Sequence, residues 1–185
     1  MKHPFQSFST GTSSVLLAVL VGATLFLMWQ LNKIGKPLNI GNVVPNGIIS
    51  LEFAGNSANA KAIVEAWRDR KVLDQAQKLQ WIDFLFMAVY STALSLGCIW
   101  ATELLPNFDA EWIGTGVVLG WGQWVAALLD AIENLSLFPF LYGEVKDSSP
   151  LAQVAAICAV FKFSLIFTGL LYVLASIVIK LILNI

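Results

Sequence analysis

Of the 185 residues, 57% are hydrophobic and only 12% charged, and the mean hydropathy is +0.73. A soluble domain carries about 25% charged residues, so this composition points to a bilayer as solvent. A net charge of −1 provides no field to gather nucleic acid, which excludes that class of partner.

The chain opens on a short polar stretch that holds its single histidine, His3, read here as part of a solvated tail. With no second histidine, a His-based zinc site and a Cys–His pair are excluded, and no metal site is expected. A first apolar run, about 13–31, is long enough to cross a hydrocarbon core about 30 Å thick. It is too long for a cleaved leader, and no small-residue cleavage site follows it before Trp29 and Asn32. It is therefore expected to be retained.

Residues 32–78 form a loop in two parts. Gly35, Pro37, Gly41, Pro45 and Gly47 favour turns, and a short apolar run from Ile48 to Ala54 encloses Glu52. Gly55 and Asn56–Ser57 then supply a break and an N-cap for a helix over 58–71. Its apolar face is read as Ile63, Ala66 and Trp67, lying in the membrane interface with Trp67 at headgroup depth.

Three further spans follow, at about 79–101, 113–137 and 151–176, the last within an apolar run that continues toward Ile185. The fold class is thus all-α: a polytopic four-helix membrane bundle forming a single domain. Lys33, Lys36, Lys61, Arg68, Arg70, Lys71 and Lys78 all lie in the first loop, whereas the next turn carries Glu103, Asp109 and Glu111. By the positive-inside rule the first loop is cytoplasmic and both termini face outward, in a plasma membrane. Cys98 and Cys158 sit in apolar runs and read as small buried side chains rather than a disulfide.

Ionisable groups inside spans are costly, so each carries a functional question. Span two contributes Asp83 and, on the same face, Tyr90; span three contributes Gln123, Asp130, Glu133 and Asn134; span four contributes Lys162. On span three, Gly116, Gly120, Gln123, Ala127, Asp130 and Asn134 share one helical face, as do Ala155, Ala159, Lys162, Gly169 and Ser176 on span four. Gly116 and Gly120 form a close-packing G-x-x-x-G, and Ala18 and Gly22 a small-xxx-small pair on span one. These faces place the charges inside the bundle, near the cytoplasmic side.

The segments Ile-Ile-Ser-Leu-Glu-Phe-Ala-Gly from Ile48, running on to Ala66–Trp67, Trp-Ile-Asp-Phe at 81–84 and Leu-Asp-Ala-Ile-Glu-Asn-Leu at 129–135 resemble a group of small bacterial four-span membrane proteins. That resemblance implies that Glu52, Asp83, Asp130, Glu133 and Asn134 form one constellation, and it implies no activity. Motifs of membrane prenyltransferases, CDP-alcohol phosphotransferases, zinc proteases and P-loop enzymes are absent from the sequence.

The expectation is an acidic intramembrane pocket that binds a small amphiphilic or lipid-like ligand, with Asp83, Asp130 and Glu133 supplying charge. Tyr90, Gln123 and Asn134 would hydrogen-bond, Lys162 would be the counter-charge, and Glu52 would close the site from the loop. Two other readings stand beside it. The cluster is an ion-pair network that fixes helix register in a structural or assembly subunit, as a homo-oligomer or within a membrane complex. Alternatively it serves ion- or proton-coupled transport. No cofactor and no reaction is specified by the sequence.

Overall fold

The computed structural model describes residues 2–105, 109–143 and 145–183. Among the described residues, four helices are long and apolar enough to cross a membrane, as the hydropathy pattern requires. In chain order the helices are α1 (Thr10–Gly35), α2 (Ile48–Glu52), α3 (Ser57–Asp69), α4 (Leu73–Leu104), α5 (Ala110–Tyr142) and α6 (Leu151–Leu183). The class is the expected one, all-α. Each long helix overruns its predicted span; at the start of α4 the added residues include Gln75, Gln77 and Lys78, good helix formers although polar. The final two positions of the last apolar run lie outside the described residues.

Helix ends follow local chemistry. The Ser9 hydroxyl accepts the Thr12 N–H (3.3 Å) at the start of α1. Asn56 caps α3 as the sequence suggests, its Oδ1 accepting from the Asn59 N–H at 2.8 Å. Asp109 accepts from the Glu111 N–H at 2.8 Å beside the first turn of α5. Helix α3 stops at Asp69, two residues before the expected end, because Lys71 adopts φ 59°. Val72 N–H then bonds Trp67 O (2.9 Å) and Lys71 N–H bonds Arg68 O (3.0 Å), a Schellman closure with lysine where glycine is usual.

The residues divide into two compact units, each of which receives a part of all four long helices. The first comprises Met1–Leu25, Ala88–Ala127 and Lys162–Ile185. Here the small faces do what the G-x-x-x-G predicts. A Cβ at Gly116 would sit 2.4 Å from the Tyr172 hydroxyl and 2.5 Å from Thr102 Cγ2, and one at Gly169 would sit 2.3 Å from Gln123 Nε2. Cys98, Ala101 and Tyr172 form the apolar centre, and Trp112 Nε1 donates to Ser176 Oγ at 3.1 Å. The span-one pair departs from expectation: Ala18 and Gly22 are exposed, and nothing lies within 4 Å of a Cβ built on Gly22. A small-xxx-small spacing fixes a helix face but not which way that face turns.

The second unit comprises Phe26–Met87 and Leu128–Phe161. Its core joins the loop to the helices: Leu38, Val44 and Leu51 from the loop are buried with Val64 and Trp67 of α3, Leu79 of α4, and Leu137 and Leu141 of α5. The buried face of α3 is Ser57, Ala60, Val64 and Trp67, with Ile63 and Ala66 half-buried at its edge. Trp67 therefore faces protein rather than lipid. It is fully buried, and its Nε1 donates to Leu38 O at 2.9 Å, which satisfies the indole in a protein core. The Ser57 hydroxyl donates to Ser149 O at 2.8 Å and fastens α3 to the segment before α6.

Candidate functional site

The polar centre of the second unit is built from the first turns of α4 and the last turns of α5. On α4, Gln77, Gln80 and Phe84 share a face by their spacing of three and four. Opposite them, α5 presents Asn134, Phe138 and Leu141. Gln77 Nε2 donates to Leu141 O at 2.8 Å, and the Phe84 and Phe138 rings stack at 5.9 Å and 11°. Between these contacts lies a polar relay. Gln80 Nε2 donates to Asn134 Oδ1 at 2.5 Å, and Asn134 Nδ2 donates to Asp83 Oδ2 at 2.6 Å. Both ends of the Asn134 amide are engaged, so its orientation is fixed and it presents Asp83 with a donor.

Asp83, Asn134 and Gln80 form one wall of a cavity of about 500 Å³. Glu52 at the end of α2 and Lys36 in the turn after α1 add charge to it, while Met28, Leu31, Leu79 and Ile48 line it with hydrocarbon. Pro37 and the positive-φ Gly47 shape the chain that carries these groups over α4: Gly47 has φ 56°, and a Cβ there would lie 3.6 Å from that of Leu38. A cavity lined by carboxylates, an ammonium and amides together with hydrocarbon side chains suits a molecule with a polar head and an apolar tail.

The sequence-predicted residues divide between the two units. Glu52, Asp83 and Asn134 come together at the cavity. Asp130 and Glu133 belong to the same unit and are buried, but are not among its lining residues. Tyr90, Gln123 and Lys162 belong to the other unit, each buried. Gln123 Nε2 donates to Leu165 O at 2.9 Å, a helix-to-helix bond, and the Lys162 ammonium lies 4.9 Å from the centre of the Phe163 ring. Of the faces read from α5 and α6, Gly116, Gly120, Gln123, Asp130 and Asn134 are buried and Ala127 is half-buried, while Ala155, Ala159, Lys162, Gly169 and Ser176 are all buried. Cys98 and Cys158 are buried and are not joined in a disulfide.

Gln80 and Lys36 were missed by sequence reasoning. Gln80 carried a usable signal, standing one turn before Asp83 on an otherwise apolar stretch. Lys36 carried none, being one of several lysines that flank spans. His3 is the larger departure: it is not in a solvated tail but buried, 3% exposed, among aromatic rings.

Indole and phenol groups mark the level of this cavity along the helices. Trp81, next to Gln80, is 63% exposed and its Nε1 donates to the Tyr142 hydroxyl at 2.9 Å. Trp29, next to Met28, is likewise exposed, with the Lys33 ammonium 5.4 Å from its ring centre. No known protein family, curated protein or solved structure matches the chain.

Proposed function

We propose that this integral membrane protein holds an amphiphilic, lipid-like ligand in the cavity bounded by Met28, Leu31, Glu52, Leu79, Asp83 and Asn134. The observation that carries the reading is the coincidence of a mixed polar and apolar lining with the Trp29 and Trp81–Tyr142 level. Exposed Trp and Tyr favour the headgroup layer, where one end of a ring is wet and the other apolar. A cavity at that level meets a lipid-like molecule with its polar head beside Glu52, Asp83 and Lys36 and its tail along Met28, Leu31 and Leu79. The lysine and arginine distribution assigns this level to the cytoplasmic leaflet, with the loop carrying α2 and α3 inside and both termini outside.

In this reading Asn134 is a positioning residue. Its amide donates to Asp83 Oδ2 and so orients the carboxylate, the acceptor that would meet a headgroup donor, whether ammonium or hydroxyl. Native mass spectrometry of protein extracted in mild detergent tests the reading, with wild type beside Glu52→Gln/Asp83→Asn. A co-purified species bound to wild type and absent from an equally folded variant supports it. The same adduct on both proteins overturns it.

The engaged Asn134 amide also favours a second reading, in which the Gln80–Asn134–Asp83 relay serves only to clamp α4 to α5. That reading expects no adduct on either protein and a variant that is less stable than wild type.

A further inference from the structure

The only histidine in the chain is built into the first unit rather than left in solvent. His3 N–H donates to Gln6 Oε1 at 2.8 Å and its Nδ1 accepts the Phe5 N–H at 3.3 Å, so the turn Pro4–Ser7 is closed on the imidazole itself. The other ring nitrogen, Nε2, lies 3.2 Å from Ser95 Oγ on α4. Trp121 and Trp124 of α5 each place a ring centre 5.0 Å from the imidazole, and Gly120 packs beside it, a Cβ built there lying 3.5 Å from His3 Cδ2, an ordinary contact.

These contacts assign the tautomer. Nδ1 is an acceptor, so the neutral ring carries its hydrogen on Nε2 and donates to Ser95 Oγ. A proton added to Nδ1 would face the Phe5 N–H, donor against donor, and would place a charge where water has been excluded. We propose that the Pro4–Ser7 turn is a pH-sensitive strap on the first unit, docked through neutral His3 and released when Nδ1 is protonated, uncovering Trp121, Trp124 and Ser95.

Among the described residues, no opposing charge is seen to touch the ring. The groups that contact it are Phe5 from its own turn, Ser95 from α4, and Gly120, Trp121 and Trp124 from α5, none of them charged. The nearest ionisable side chains along those elements are exposed Lys2, Tyr90, Cys98 and Glu103 on α4, and Glu111 and Asp130 on α5. Of these, Cys98 is committed to Gly169 O, and Asp130 belongs to the second unit. Burial accordingly holds the imidazole below its ordinary value of 6.5. The docked strap binds fewer protons than the released one, so docking is at full strength above pH 6.5 and weakens as pH falls below it.

A single histidine makes the test direct. The full chain, reconstituted in lipid nanodiscs with 15N-labelled histidine, gives one imidazole whose nitrogen shifts report tautomer and titration together. The expected result is an Nε2–H tautomer with a midpoint below 6.5. Amide exchange in residues 3–8, corrected for intrinsic rates, should accelerate by up to about tenfold per pH unit within the linkage window. His3→Phe, which keeps a ring and cannot titrate, should show no such step. An Nδ1–H tautomer, a midpoint at or above 6.5, protection unchanged through the titration, or a step that persists in His3→Phe each overturns the proposal.

Discussion

Asn134 and Asp83 are joined across α4 and α5 by a 2.6 Å hydrogen bond, and the same amide accepts from Gln80. A double-mutant cycle on Asp83→Ala and Asn134→Ala should return a coupling energy of about 0.6 kcal/mol and no more than about 1.7 kcal/mol, the range for polar pairs between membrane helices. Unfolding in mixed detergent micelles measures it. A coupling indistinguishable from zero would mean that the two side chains do not act as a pair.

Lys71 closes α3 with a left-handed backbone that a side chain disfavours. Lys71→Gly should stabilise the protein by about 0.5–1 kcal/mol, because glycine enters that region without the Cβ clash. Arg70→Gly serves as control, since Arg70 has φ −84° and gains nothing from the change. Equal unfolding midpoints for Lys71→Gly and wild type would contradict the closure described for this helix.

Two glycines on one helix make a matched pair. Gly116→Ala drives a methyl group into Tyr172 and Thr102, whereas Gly114→Ala meets nothing within 4 Å. The first should cost about 1–3 kcal/mol through overpacking, and the second should be neutral or mildly stabilising. Adding Tyr172→Phe to Gly116→Ala should not restore stability, because Thr102 Cγ2 blocks the same space. Recovery in that double variant would show that the hydroxyl alone sets the fit.

The Lys61 ammonium lies 2.5 Å from the Asp147 carboxylate in an exposed loop, and its hydrogen bond and charge hold that carboxyl below the ordinary value of 3.8. A lowered folded value means the pair contributes above pH 3.8 and is lost as pH falls through the folded value. In Lys61→Met, a carboxyl-carbon NMR titration should place Asp147 back near 3.8. Added salt should reduce the wild-type shift, as expected of a solvent-exposed pair. An unchanged titration in Lys61→Met would remove the lysine as the cause.

Much of this fold was legible because a bilayer imposes a length on its helices. The four spans, the Asn56 cap and the buried faces of α5 and α6 all follow from hydropathy and a period of 3.6 residues. That protein covers Trp67 was not legible, because periodicity identifies an apolar face without saying whether lipid or protein packs on it. His3 was misread for a different reason. An isolated residue in a short polar stretch has no period at all, and its pocket is assembled from Ser95, Trp121 and Trp124, more than ninety positions away. The joining of Glu52 to Asp83 and Asn134 is likewise a product of the loop's turns, which local chemistry marks only as turns.

The Ile40–Val44 bridge gives the loop a buried stem and an exposed tip: Leu38 and Val44 are fully covered, while Gly41, Asn42 and Val43 stand clear. Foreign residues spliced between Gly41 and Asn42 therefore disturb no packed side chain, as exposed loop tips generally permit. An epitope placed there would travel with the folded protein as a reporter. In sealed vesicles, antibody access to it reads out directly which face of the bilayer carries the loop, and with it α2, α3 and Glu52.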